Sequence, residues 1–200
     1  MEIKHKELGP VQANCYVVRD GGHALIIDPG GSFPEVRTFV DGDQVDAVLL
    51  THAHFDHIGG LDELLRIYPV PVYVYPSEVN ALADPQANVS ESFYAHIVSY
   101  AKAEPITEGH HQIGHFDVDV IHTPGHSEGS VVYLIGDAMF SGDTLFQGSV
   151  GRVDLPGGSY REMEASLLKL KALKKNYHVY PGHGPESTLD QEKIWNPYLR

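Results

Sequence analysis

Short apolar runs separated by glycine-rich turns occupy the first part of the chain. Residues 2 to 28 read as strands. Asn14 to Val18 and Ala24 to Ile27 are apolar runs joined by Asp20-Gly21-Gly22, a hairpin signal. Asp28-Pro29-Gly30-Gly31 stops the second run. Pro34 to Val40 predicts a short helix, and Val45 to Leu50, apolar but for Asp46, ends as a buried strand would. Around Gly59-Gly60, the residues Ile58, Leu61, Leu64, Leu65 and Tyr68 recur at helical spacing. Val70 to Tyr75 predicts another strand, so residues 45 to 75 read as a β-α-β unit.

Residues 76 to 104 read as helical in parts, with Ala83-Asp84-Pro85-Gln86-Ala87-Asn88 as a break. Strands return at Phe116 to Ile121, Ser130 to Ile135 and Met139 to Ser141. Ser159 and Glu162 form a capping box ahead of a helix whose Met163, Leu167, Leu170 and Leu173 make an apolar stripe. Tyr177 to Tyr180 predicts a last strand, and a short helix follows Ser187. Two runs of strands, each flanked by helices, predict a layered α/β sandwich, with residues 1–200 as a single domain. The sequence shows no repeat, low-complexity tract or linker.

Composition narrows the chemistry. An apolar fraction of 42% suffices for a core, and 14 basic against 27 acidic residues leave a formal net charge of −13. That field repels polyanions and argues against a nucleic-acid partner. Cys15 is the sole cysteine, which excludes an internal disulfide and a cysteine metal cluster; within Cys15-Tyr16-Val17-Val18 it reads as a buried structural thiol. The N-terminal residues lack an apolar signal core and no stretch is long enough to span a membrane, so the cytoplasm is the default expectation.

The densest chemistry lies at Thr51-His-Ala-His-Phe-Asp-His57, directly after the predicted strand 45–50. Alternate residues of an extended segment point the same way, so His52 and His54 can share one metal. Asp56 and His57 fall where the chain turns into a helix expected near Ile58, and can face a second ion. Imidazole and carboxylate ligands suit zinc, iron or manganese. Further candidates follow other strands or close tight turns: His126 in Thr123-Pro-Gly-His126, Asp143 in Phe140-Ser-Gly-Asp143, and His183 in Pro181-Gly-His-Gly184. Each follows a glycine, which lets the backbone turn sharply toward a crowded centre. His5, His23, His96, His110, His111, His115 and His178 suit surface positions, and His122 is the further candidate for an outer partner of the site.

His52-x-His54-x-Asp56-His57, then His126, Asp143 and His183, resembles the ligand pattern of the metallo-β-lactamase superfamily. The wording around His126 and Ser141-Gly-Asp-Thr-Leu-Phe146 is similar to its glyoxalase II branch. The resemblance runs from about Asn14 to Gly184 and implies a four-layer αββα sandwich with metals at one edge. It also implies His52, His54 and His126 on one metal, Asp56, His57 and His183 on a second, and Asp143 bridging both. Two divalent ions are implied, zinc by default, with iron or manganese as alternatives.

The bridging Asp143 argues against antibiotic hydrolysis, since true β-lactamases lack a carboxylate there. His54 stands where diiron flavoprotein relatives carry a glutamate, and the charge balance argues against the nuclease relatives. In glyoxalase II enzymes a glycine and a basic residue near the glutathione are matched by Gly151 and Arg152. Their tyrosine two residues on is replaced by Asp154, and Arg152 can equally brace its own loop through Asp154. Those enzymes also carry a C-terminal helical domain, which this chain is expected to lack.

The resemblance thus implies a single-domain, binuclear thioester hydrolase acting on a small, S-lactoylglutathione-like thioester. A hydroxide between the metals would attack the acyl carbon, with Asp56 orienting it and Arg152 as the substrate-binding candidate. No nucleic acid or membrane partner is implied. The rivals are a mononuclear-iron persulfide dioxygenase, whose motif has the same form, another ester or lactone hydrolase, and a metal-binding protein without activity.

Overall fold

Alternation within the strands sorts their side chains between two packed faces. In β2 (Ala13–Asp20), Cys15 and Val17 turn to one face while Tyr16 and Val18 turn to the other. The computed structural model describes residues 1–32 and 34–200, and Glu35 by its backbone. The first sheet has the order β1 (Glu2–Leu8), β2, β3 (His23–Ile27), β4 (Gln44–Leu49), β5 (Val72–Val74), β6 (Ala103–Pro105). The second has the order β12 (Ser187–Thr188), β11 (His178–Pro181), β10 (Ala138–Gly142), β9 (Val131–Ile135), β8 (Phe116–His122), β7 (Gly109–Ile113). The β1–β2–β3 ribbon is antiparallel, whereas β3–β4, β4–β5 and β5–β6 are parallel. In the second sheet only β10–β11 is parallel.

The layers follow from this alternation. Tyr16, Leu25, Ile27 and Leu49 of the first sheet form one apolar core with Val118, Tyr133 and Phe140 of the second. Ile26, Val48 and Leu50 face outward, onto Val36 of α1 (Pro34–Val40) and Leu61 and Leu64 of α3 (Leu61–Ile67). Val132, Met139 and Val179 face the opposite way, onto Met163, Leu167 and Leu170 of α4 (Tyr160–Lys171) and Leu189 of α5 (Leu189–Trp195). Three parallel cores make the four-layer αββα sandwich that the resemblance implies and refine the layered α/β sandwich read from the strand pattern. Among the described residues no helix is long and apolar enough to cross a membrane.

The differences from expectation are local. The helix expected near Ile58 is a single turn, α2 (Phe55–Ile58), so Asp56 and His57 lie inside it. The strand expected over Val70 to Tyr75 contracts to Val72–Val74. Strand β7, Gly-His-His-Gln-Ile, is an edge strand with one side chain turned to the core, and its polar composition hides it from pattern reading. At the start of α4, Ser159 accepts from the Glu162 backbone N–H, as its capping motif predicts.

Residues 76 to 104 hold three short 3₁₀ turns, Pro76–Glu78, Asn80–Ala83 and Ser90–Phe93. Their contribution is to join loops. The buried Glu78 carboxylate accepts from Ala53 N–H at 2.9 Å and from Gly129 N–H at 2.8 Å, tying the loop after β4 to the loop after β8. Asn88 carries the same linkage further: its carbonyl accepts from Phe55 N–H at 3.0 Å.

Replacing Glu78 with Gln turns an amide N–H₂ toward one of two buried N–H donors. The urea midpoint is expected to fall by the equivalent of about 1–3 kcal/mol with the slope unchanged, measured by equilibrium unfolding. An unchanged midpoint would show that the loops are held without the carboxylate.

Candidate metal centre

All seven residues singled out from the pattern meet at one edge of the sandwich, where β4, β8, β10 and β11 end. Ligand atoms of His52, His54 and His126 lie within 4.8 Å of one another, as do those of Asp56, His57 and His183. Asp143 groups with His52 and His57 and stands between the two sets. Its Oδ2 is 3.4 Å from His126 Nε2 and its Oδ1 3.4 Å from His57 Nε2. His183 Nε2 approaches Asp56 Oδ2 at 3.1 Å and Asp143 Oδ2 at 3.6 Å.

The glycines act in two ways. Gly142, before Asp143, has φ +48°, in the left-handed region that favours glycine. Gly182, before His183, needs no such angle. A Cβ there would collide with Asp143 Oδ1 and stand 2.8 Å from His57 Cε1, so its role is close approach rather than a turn. The loop bearing His183 is pinned from below by Tyr16, whose hydroxyl donates to the Pro181 carbonyl at 2.6 Å, and by Asn14, whose amide donates to the carbonyls of Pro181 and Gly184.

Asp28 is the functional residue that sequence reasoning passed over, having counted only as a strand stop. It is buried, with φ 51°, a left-handed turn that aspartate tolerates better than most residues. Its carboxylate accepts from the Thr51 backbone N–H at 2.8 Å and the Thr51 hydroxyl at 2.7 Å. Its Oδ2 also lies 3.0 Å from His57 Nδ1. A carboxylate at the far nitrogen fixes an imidazole's tautomer and ring orientation and leaves the near nitrogen as a ligand. The available signal was its place: the strand ending at Ile27 pairs beside the strand that delivers the histidine motif.

His126 is fixed in the same way by a backbone group, with Nδ1 2.8 Å from the Arg152 carbonyl. The Arg152 side chain points to a different task. Its Nε and Nη2 donate to both oxygens of Asp154, at 2.6 and 2.8 Å, and this pairing holds the Asp154 carboxyl down at about 2. The structure therefore shows the loop brace, with Arg152 at the border of the cavity described below. His122 lies away from the centre. Its ring stacks on Tyr75 at 4.0 Å and Nε2 lies 3.0 Å from the Glu128 carbonyl, which corrects its candidacy as an outer partner.

The electrostatics suit cations. Burial drives the His52 pKa well below the ordinary value, with His57 and His54 adding to the effect, and takes His54 down to about 3. Both are neutral at pH 7, with lone pairs available. Burial opposes charge on His57 too, but Asp56, Asp28 and Asp143 around it lift its pKa well above the ordinary range. Burial raises Asp143, yet His126 and His57 beside it hold it well below the usual carboxylate range. Ionised carboxylates packed around imidazoles create a demand for positive charge. Nε2 of His52, His54 and His57 and Oδ1 of Asp143 are buried without a hydrogen-bond partner among the described residues. Such orphaned groups are costly unless something satisfies them. Imidazole nitrogen and carboxylate oxygen fit divalent zinc, iron or manganese.

The centre forms the floor of a cavity of about 300 Å³. His54, Asp56, His126, Asp143 and His183 reach it, and Val11, Phe55, Val89, Phe93, Phe146 and Leu155 supply apolar walls.

Asp28→Asn is expected to weaken metal retention about 10- to 100-fold, as loss of an outer carboxylate partner does. Chelator competition on the folded variant measures this. Retention equal to wild type would show that Thr51 and the β4 backbone orient His57 unaided.

Comparison with known proteins agrees with this geometry. The probable metallo-hydrolase YqgX of Bacillus subtilis is 40% identical over all of this chain and 98% of its own length. Hydroxyacylglutathione hydrolase GloC of Haemophilus influenzae is 29% identical over all of this chain and 98% of its own. The crystal structure of BLEG-1, a B3 metallo-β-lactamase, superposes with a TM-score of 0.94 at 40% identity, covering 99% of both chains. That of TTHA1623 in a di-iron-bound form gives 0.89 at 37%, covering 98% of this chain and all of that one. The model of the metallo-beta-lactamase superfamily matches residues 8–183, and the chain belongs to that superfamily.

Proposed function

We propose that the protein is a binuclear metal-dependent hydrolase of thioesters, S-lactoylglutathione-like substrates among them. His52, His54 and His126 would hold one ion, Asp56, His57 and His183 the other, and Asp143 would serve both. Bound there, two divalent ions supply Lewis acidity toward a carbonyl oxygen and lower the pKa of water from 15.7 toward ~7.

The observation that carries this reading is the cavity itself. Seven candidate ligands converge at or beneath its floor, and no lysine, cysteine or tyrosine is among its described lining residues. An amide or alkoxide leaving group needs a proton, and once the histidines are engaged this lining offers no donor besides the proton that Asp56 would take from water. A thiolate leaves unprotonated, because thiol pKa values lie near 8.5. The Asp56 carboxylate reaches the cavity, and burial pushes its pKa up, but His57 and His183 more than offset this and keep it ionised. It is therefore placed to orient a water and accept its proton. The Arg152 carbonyl and the Asp28 carboxylate hold His126 and His57 in register while this occurs. GloC, named a hydroxyacylglutathione hydrolase, supports the choice of thioester. The likeness to BLEG-1 favours β-lactam hydrolysis as a second reading, which Asp143 weighs against.

Two measurements test the proposal. Gently purified protein is expected to carry two divalent ions per chain by elemental analysis, and to release thiol from S-lactoylglutathione with a weak KM. One tightly held iron, with oxygen uptake on glutathione persulfide and no thiol release, would establish the dioxygenase instead. β-Lactam cleavage without thiol release would establish the second reading.

Asp143→Asn is expected to lower thiol release at least ~10²-fold, because a preorganised charge is removed from the reacting centre. It should also deplete the second metal more than the first. Near-normal turnover with both metals retained would mean the bridge is misplaced.

A further inference from the structure

The cavity walls away from the metal ligands are apolar and preorganised. Phe55 and Phe93 pack with tilted rings, centroids 5.2 Å apart, and Val89 completes that side. Val89 has φ 58°, a conformation that costs a β-branched residue and persists only where its surroundings enforce it. Here Asn88 enforces it: Oδ1 accepts from Ser90 N–H at 3.0 Å, while Nδ2 donates to the Ile97 carbonyl at 2.8 Å. The opposite wall carries Val11, Phe146 and Leu155. A cavity of about 150 Å³ holds a benzene molecule. About 300 Å³ therefore accommodates an aryl or short alkyl group together with a thioester.

The charge at the outer border of this space does not favour an anion. Arg152 is the only lysine or arginine among the described lining residues, and Asp154 takes one edge of its guanidinium, through Nε and Nη2. The pair is exposed, so an incoming carboxylate would meet the cation already neutralised and a second carboxylate beside it. The two divalent ions proposed above would offset Asp56 and Asp143 on the floor, so the discriminating charge lies at the cavity's border, within a chain of formal charge −13.

We infer that Asp154 is a specificity-determining residue. By occupying Arg152, it turns the site toward thioesters of uncharged, largely apolar thiols and away from those of anionic carriers. The inference rests on the thioester reading above. It assigns glutathione thioesters to the tolerated substrates rather than the preferred ones. Replacing Asp154 with Asn removes the carboxylate, frees the guanidinium fork and leaves the apolar walls in place. An exposed pair of this kind yields about fivefold in relative affinity.

The test uses two non-hydrolysable thioethers sharing a benzyl group: S-benzylglutathione, with two carboxylates and one ammonium, and uncharged S-benzyl-N-acetylcysteamine. Calorimetry on the metal-loaded protein is expected to show the uncharged ligand binding at least about fivefold tighter. In D154N that ratio should fall at least about fivefold, and adding R152Q to D154N should restore it. Tighter binding of S-benzylglutathione by wild type, or a ratio unmoved in D154N, would overturn the inference. Thiol release from S-lactoylglutathione and S-lactoyl-N-acetylcysteamine is read separately. Absence of release from both would sink the hydrolase reading and leave the binding ratio to decide the role of Asp154.

Discussion

Imidazoles and carboxylates buried together at the edge of an apolar sandwich lose their hydration, and the rest of the structure is organised around holding them despite that cost. His52 and His57 are fully buried, and Asp143 is nearly so. The histidines are kept in place by groups that do not themselves face the reacting centre. Asp28 engages Thr51 and His57, the Arg152 carbonyl fixes His126, and Glu78 joins the two loops that carry His52, His54 and His126. The four orphaned ligand atoms mark where the arrangement is completed by something other than protein.

Two sheets packed face to face make this possible. Each sheet delivers its loops from strand ends at the same edge, so short turns suffice to bring β4, β8, β10 and β11 to one point. Packing also limits adjustment. Gly182 admits no side chain because Asp143 and His57 already fill that space. A centre supported by rigid strands can hold preformed charge without reorganising during reaction, which is the condition for electrostatic catalysis.

Residues 76 to 104 connect the supporting groups to the cavity. The segment contains little regular structure, yet Glu78 and Asn88 anchor the motif loop from beneath while Val89 and Phe93 shape the cavity above it. Support for the metal loops and the shape of the substrate space thus share one piece of chain. Changes there are expected to couple metal retention to substrate choice.

The sequence alone was enough to read the layers and the candidate ligands. Strand alternation, the apolar stripe of α4 and the spacing of His52, His54, Asp56 and His57 are local properties, legible because side-chain direction follows backbone periodicity. Strand β7 escaped because an edge strand buries little, and the 76–104 segment escaped because 3₁₀ turns impose no long period. Only the tertiary structure decided what Asp28 and Glu78 do, that His122 stacks on Tyr75, and that Asp154 occupies Arg152. Most of these pairings join residues far apart in the chain or depend on a side chain's particular rotamer. Such pairings arise only when packing brings polar groups into an interior where each must find a partner.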